Sequence, residues 1–234
     1  MPRKHNSTSR SSAQARNPNV RPFPVLYPIL DARLALAGCA PGCEARWDRL
    51  RSLARELAQA GVEILQYRNK IDNDVLIAQD ALALRQAAPR LRLILNDRPA
   101  LVAPAGWDGV HLGQTDLSPS SARSLLGRRA LIGLSTHTDV QVLTADRQPI
   151  DYIAIGPVFS TLTKTDTSPV IGIEGIMRAR SLTDKPLVAI GGITVENAPA
   201  VYDAGADSVA VISAIFSPGG SPAQSVRDFL AIFK

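Results

Sequence analysis

Eight short apolar runs recur between Val25 and Ser213, each followed by an amphipathic stretch, and this alternation leaves the chain few ways to fold. The runs are VLYPILD (25–31), VEILQY (62–67), LRLILN (91–96), GVHL (109–112), ALIGL (130–134), DYIAIG (151–156), PLVAIG (186–191) and SVAVIS (208–213). They are continuously apolar rather than alternating, the pattern of parallel strands buried on both faces. Between them lie helix signatures. In 47–60, Trp47, Leu50, Leu53 and Leu57 recur at spacings of three and four, and Gly61 follows where a left-handed cap is favoured. The segment 74–87 opens after the N-cap types Asp72 and Asn73 and carries Val75, Ala78 and Leu82 on one stripe. The segment 195–204 follows Thr194 as N-cap, has Glu196 in its first turn and stops at Gly205. Shorter helices are expected at 99–104, 119–126, 138–146, 173–182 and 222–232.

Eight β units alternating with eight α units in about 210 residues predict an α/β chain folded as a single (β/α)8 TIM barrel over 25–234. An open doubly wound sheet is the rival, but it would show a Gly-rich phosphate turn after the first strand, and YPILDARLALAG has none. No apolar run approaches the roughly 18 to 20 residues that span a bilayer. A soluble, cytoplasmic protein is the default expectation.

The net charge of +5 suggests nucleic acid until it is located. Residues 1–24 hold Arg3, Lys4, Arg10, Arg16 and Arg21 and no Asp or Glu. Removing those five from the 26 Lys and Arg leaves 21 against 21 Asp and Glu, so the body is neutral and lacks a nucleic-acid binder's excess of charge. The Ser-rich tail has no hydrophobic periodicity and is expected to be disordered. Its composition also suits a transit peptide, but without an amphipathic stripe a plain extension is the favoured reading. Cys39 and Cys43 have no second ligand pair nearby and are read as free thiols rather than a metal site or a disulfide.

In this fold the active site is built at the C-terminal ends of the strands. Those ends carry Gln66, Arg68 and Lys70, with Tyr67 and Asn69 on the opposite side, then Asn96-Asp97-Arg98 and His111 to Asp116. Ser135 to Thr138, Thr161 to Lys164, Gly191-Gly192 and Ile212-Ser213 follow. Singly each has a bland reading as a loop charge, helix cap or turn residue. Jointly they bring cations (Arg68, Lys164) to one mouth with two carboxylates, Asp97 and Asp116, the chemistry of a diphosphate held with Mg2+. The glycine pair and Ser213 suggest a second anion, bound by backbone N–H groups.

The ordered set of motifs, from Gln66-Tyr67-Arg68-Asn69-Lys70 through Asn96-Asp97-Arg98, Asp108 to Gln114 with Asp116, Gly133 to Thr138, Gly156 to Phe159 with Thr161 to Lys164, Ala189 to Ile193 and Ile212 to Ile215, resembles the thiamine phosphate synthase and thiazole tautomerase-like family. The resemblance implies that Gln66, Arg68, Lys70 and Asn96 hold an aminopyrimidine diphosphate, with Ser135 and Lys164 on the diphosphate. It further implies that Asp97 and Asp116 coordinate Mg2+, and that Thr161, Thr163, Gly191, Gly192, Ile212 and Ser213 bind thiazole phosphate. Arg68, Lys164 and Ser135 would be the catalytic groups, acting on a departing diphosphate without a covalent enzyme intermediate. Two departures stand out. Leu30 precedes Asp31 where the family usually has a polar residue, which bears on the floor of the pyrimidine pocket. The loop holding 34–46 is also longer.

A thiazole tautomerase is the nearest rival, with His137 as its acid–base group, although His137 fits the synthase pattern as a substrate contact too. A tautomerase has no use for the grip of Gln66, Arg68, Lys70, Asp97 and Asp116. A non-catalytic thiazole phosphate-binding regulator and a metal-free sugar-phosphate isomerase are two more functions that the same barrel could serve. The expected partners are small-molecule substrates, with no nucleic acid and no membrane; a homo-oligomer stays open.

Overall fold

The computed structural model describes residues 23–71, 73–161, 169–217 and 219–233. The tail up to residue 22, the N-cap candidate Asp72, and Thr163 and Lys164 lie outside them. Among the described residues, eight parallel strands close into one barrel: β1 (Leu26–Asp31), β2 (Ile64–Arg68), β3 (Arg92–Asn96), β4 (Gly109–Leu112), β5 (Leu131–Thr136), β6 (Tyr152–Ile155), β7 (Leu187–Ile190) and β8 (Ser208–Val211). The helices are α1 (Ala32–Ala35), α2 (Glu44–Gln59), α3 (Asp74–Ala87), α4 (Pro99–Val102), α5 (Pro119–Leu126), α6 (Asp139–Asp146), α7 (Gly172–Ser181), α8 (Ala198–Asp203) and α9 (Pro222–Ala231). None of them is long and apolar enough to cross a membrane.

Alternation along the strands separates two cores. Tyr27, Ile29, Ile64, Ile94, Tyr152, Ala154, Val188, Ala210 and Ile212 fill the barrel interior. Their neighbours in sequence, Leu30, Tyr67, Leu95, Ile153 and Ala189 among them, join the helices in the outer layer. Leu30 is therefore turned to the helices, and the departure from the family pattern at this position does not reach the pocket floor.

Three sequence expectations need correction. The buried residues of α3 are Ile77, Asp80, Ala81, Ala83 and Leu84, whereas Val75 and Leu82 are exposed; the stripe begins two residues later because Asp80 must meet Arg46 of α2. The helix expected from 195 starts at Ala198, because Asn197 first accepts the Thr194 N–H in a turn. The four-residue α1 was not expected; Asp31 caps it by accepting from the Arg33 N–H at 3.1 Å. The cap by Asn73, which accepts from the Leu76 N–H, and the left-handed Gly61 and Gly205 fall as expected. Cys39 and Cys43 are free thiols.

A repeated lock closes the base of the barrel. Asp108, Asp151 and Asp207 precede β4, β6 and β8, and each accepts an N–H from the preceding odd-numbered strand: Leu93, Ile132 and Leu187, at 2.7–2.8 Å. Each also pairs with an arginine of the helix that leads into that odd-numbered strand, Arg85 of α3, Arg123 of α5 or Arg180 of α7. The guanidinium then ties loop carbonyls; that of Arg123 donates to Ala130 at 2.6 Å and Gly127 at 3.0 Å. Charge-assisted bonds of this kind contribute about 1.5–3 kcal/mol. Arg123→Ala is expected to lower Tm by about 6 °C in a thermal melt, at roughly 2–4 °C per kcal/mol for a domain of this size. A melt unchanged to within about a degree would show the lock to be redundant.

Candidate active site

The polar strand ends gather on the C-terminal face. At β1 and β2, Asp31 and Arg68 stand opposite one another in the sheet register and form an ion pair. Asp31 is 2% exposed, so the pair is largely withdrawn from water and Arg68 has a fixed place. Sequence reasoning did not single out Asp31 as a site residue, although a carboxylate ending a strand is the signal that identified Asp97. Lys70, beyond β2, pairs with Asp97 beyond β3.

Asp97 is the one non-glycine residue with positive φ (59°) among the described residues. Its N–H donates to the His111 carbonyl at 2.9 Å, and this turn aims the carboxyl at Asp116. The two acids hydrogen-bond each other. Burial, and then the contact with Asp116, raise the Asp97 carboxyl above its usual range. For Asp116 burial works in the same direction but is outweighed by the bonds from Asp97 and the Gly113 N–H and by the charges of Lys70 and Arg98, so its carboxyl is lowered. Of the two carboxyls, Asp97 is thus the weaker acid and the first to take up a proton as pH falls. Among the described residues no cluster of three or more His, Cys, Asp or Glu forms a ready metal cage. Two adjacent carboxylates are nonetheless the donor set that suits Mg2+, which keeps several waters and takes its other ligands from substrate phosphates.

Asn96 lies inside the mouth, 8% exposed, and its side-chain amide nitrogen has no hydrogen-bond partner. An orphaned donor so deeply buried costs stability unless a ligand completes it.

On the opposite half of the rim a cleft of about 620 Å3 is lined by Thr161, Gly191, Gly192, Ile212 and Ser213, together with Arg33 of α1. That volume suits a small-molecule ligand. Ser135 and His137 line an adjoining recess that shares Thr161 and Gly191 with the cleft. The His137 Nδ1 is 2.6 Å from the Gly156 carbonyl and donates to it. Gly191 and Gly192 have φ of 108° and 63°, and packing also dictates them. A Cβ on Gly191 would lie 2.7 Å from the Pro157 Cα, and one on Gly192 would lie 2.6 Å from the Ser160 oxygen. The glycines thus let the loop after β6 close over the strand ends, a constraint beyond the approach of a phosphate. Arg33, placed at the cleft by a helix absent from the sequence reading, is a lining residue that the strand-end rule passed over.

A closed parallel barrel whose C-terminal rim joins a carboxylate pair, cations and a glycine-walled cleft belongs to the class of (β/α)8 enzymes with a small-molecule site on that rim. Residues 41–215 match the family model for thiamine monophosphate synthase (TMP-TENI), and the chain belongs to that family of thiamine-biosynthetic enzymes. It is 46% identical to the thiamine-phosphate synthase of Koribacter versatilis over 211 residues, covering 90% of this chain and 96% of that protein. It is 42% identical to that of Synechococcus sp. WH7803 over 86% of its own length, but spans only 56% of that longer protein. Among solved structures, the thiamine phosphate pyrophosphorylase of Pyrococcus furiosus superposes with a TM-score of 0.75 at 28% identity, covering 89% of this chain and 94% of that one.

Proposed function

We propose that the chain condenses an aminopyrimidine methyl diphosphate with thiazole phosphate, releasing thiamine phosphate and diphosphate. The observation that carries this reading is the acid pair Asp97–Asp116 set beside Lys70 on the same rim as the cleft. A diphosphate brought to that rim meets cations on one side and two carboxylates on the other, an arrangement that makes sense if a divalent ion lies between the acids and the phosphates. Asp97 and Asp116 would hold Mg2+, which when bound neutralises charge on the leaving diphosphate.

The chain's own groups do the rest. Gln66 and Asn96 orient the pyrimidine, with the orphaned Asn96 N–H completed by the substrate. Arg68, Lys70, Ser135 and Lys164 bind the diphosphate oxygens, Lys164 on the strength of the family pattern. Thr161, Thr163, Gly191, Gly192, Ile212 and Ser213 hold the thiazole phosphate, and His137 contacts substrate beside Ser135. The carbon–oxygen bond breaks first and its electron pair leaves with diphosphate. The aminopyrimidine stabilises the methylene cation, and the thiazole nitrogen then supplies the pair for the new carbon–nitrogen bond. Preorganised cations at the departing charge are the dominant contribution.

Incubation with both precursors and Mg2+ should yield thiamine phosphate and diphosphate in equal amounts, and chelation should stop it. Isomerisation of a thiazole without diphosphate release would instead identify a tautomerase, and ligand binding without turnover a regulator. Full activity in excess chelator would remove the metal role from Asp97 and Asp116.

A further inference from the structure

Below the rim, five side chains from five strands form one hydrogen-bonded line through the barrel interior. The Gln66 Nε2–H donates to the Tyr27 hydroxyl at 3.1 Å, and the Tyr27 and Tyr152 hydroxyls are 2.9 Å apart. The Tyr152 hydroxyl is 3.0 Å from the His111 Nδ1, and the His111 Nε2 is 2.8 Å from the Ser135 Oγ. Gln66, Tyr27 and Tyr152 are at most 2% exposed and His111 is 7% exposed.

The line is built into the barrel. A Cβ on Gly133 would sit 2.0 Å from the Tyr152 ring, so the glycine clears the space that this ring occupies. The His111 ring stacks on Tyr152 at 5.6 Å, and Phe23 closes the base with its ring centroid 4.9 Å from that of Tyr152. Burial raises the pKa of both phenols above the usual range, so each keeps its single hydrogen and can pass on only one donation.

A chain of single donors has one direction, set at its ends. With Gln66 donating into Tyr27, the Tyr27 hydrogen must point to Tyr152 and the Tyr152 hydrogen to the His111 Nδ1. A ring nitrogen that accepts carries no proton, so the neutral imidazole holds its hydrogen on Nε2 and gives it to the Ser135 Oγ. The serine hydrogen is thereby turned away from the ring, toward the recess that Ser135 lines. In the opposite direction Ser135 would spend its hydrogen on the imidazole and face an anion with lone pairs only. We propose that Tyr27, Tyr152 and His111 are positioning residues forming a one-way donor relay, which fixes the Nε2–H tautomer of His111 and presents the Ser135 hydroxyl as a hydrogen-bond donor to the substrate diphosphate. The second half of this inference rests on the function proposed for Ser135; the tautomer does not.

The test therefore has two readouts. First, 15N NMR of the imidazoles in the ligand-free, full-length enzyme, with His111 assigned by loss of its signals in His111→Gln, should show a pyridine-type Nδ1 and a protonated Nε2. A protonated Nδ1 would overturn the relay whatever the enzyme's activity. Second, Tyr27→Phe cuts the line while keeping the ring, so both directions become open. Its His111 should show a mixture of tautomers, and KM for the pyrimidine diphosphate should rise about tenfold with little change in KM for thiazole phosphate. In a Ser135→Ala background the same substitution should have no further effect on that KM. An equal rise for both substrates, or a full additive effect in the Ser135→Ala enzyme, would reduce the tyrosines to packing and overturn the proposal. Failure of the function proposed for Ser135 reads differently: the tautomer is as stated, but Ser135→Ala leaves the pyrimidine diphosphate KM at the wild-type value.

Discussion

Asp97→Asn is expected to leave the protein folded and to lower kcat/KM for the pyrimidine diphosphate by at least about 100-fold, more than loss of a mere outer-shell partner of a metal site. Asparagine is the informative substitution because Asp97 has φ of 59°. Asn adopts that left-handed conformation readily, whereas Ala would add about 1–2 kcal/mol of backbone strain and confuse lost chemistry with lost structure. The change removes one negative charge between Lys70 and Asp116 and keeps a side chain of the same shape. A metal-dependent defect should be partly relieved by raising Mg2+, with an unchanged circular dichroism spectrum. A wild-type rate at ordinary Mg2+ would take Asp97 out of the mechanism, and the diphosphate reading of the rim would fall with it.

What the sequence disclosed, and what it withheld, follows from the periods of the two kinds of element. The eight strands were legible because a sheet buried on both faces needs unbroken apolar runs, and β4 at Gly109–Leu112 was found at its full extent. The same lack of alternation hid which side of each strand faces inward. Tyr27 and Tyr152 read as ordinary core residues, and only closure of the barrel shows them to be polar links between Gln66 and His111. Strand-end residues such as Asp97 and Asp116 could be found by rule, since the fold fixes which end carries the site. Asp31, the last residue of β1, was open to the same rule, whereas Arg33 could not be placed, because the short α1 that carries it has too few residues for a periodic pattern. In α3 the apolar stripe misled because a charged residue, Asp80, belongs to the buried face. Sequence patterning scores a carboxylate as solvent-facing unless its partner is known, and that partner lies 34 positions away on α2.

The Asp80 pair leads to the second large effect. The Arg46 Nε and Nη2 donate to the Asp80 oxygens at 3.0 and 2.6 Å, and the Tyr67 hydroxyl donates to the same carboxylate at 2.5 Å. The Asn69 amide continues the chain by donating to the Tyr67 oxygen at 3.0 Å, while its carbonyl accepts the Ile71 N–H at 3.1 Å. The network thus anchors the strand end that carries Arg68 and Lys70 to the helices behind it. Arg46 and Asp80 are 2% and 0% exposed, so breaking the pair leaves a carboxylate in a pocket with little access to water. Arg46→Leu is expected to cost about 3–5 kcal/mol, lowering Tm by roughly 10 °C in a calorimetric scan. Replacing both partners with apolar residues of similar volume should recover much of that loss, because a buried ion pair contributes little beyond its own desolvation. Activity should separate from stability. In the double variant the Tyr67 hydroxyl loses the acceptor that fixes it, and the Asn69 amide then donates to a hydroxyl no longer held in place, so KM for the pyrimidine diphosphate should stay raised several-fold even where Tm has recovered. If the double variant regained both Tm and KM, the network would be a stability element with no hold on Arg68 and Lys70; if Arg46→Leu alone melted like the wild type, the pair would not be shielded from water as its burial requires.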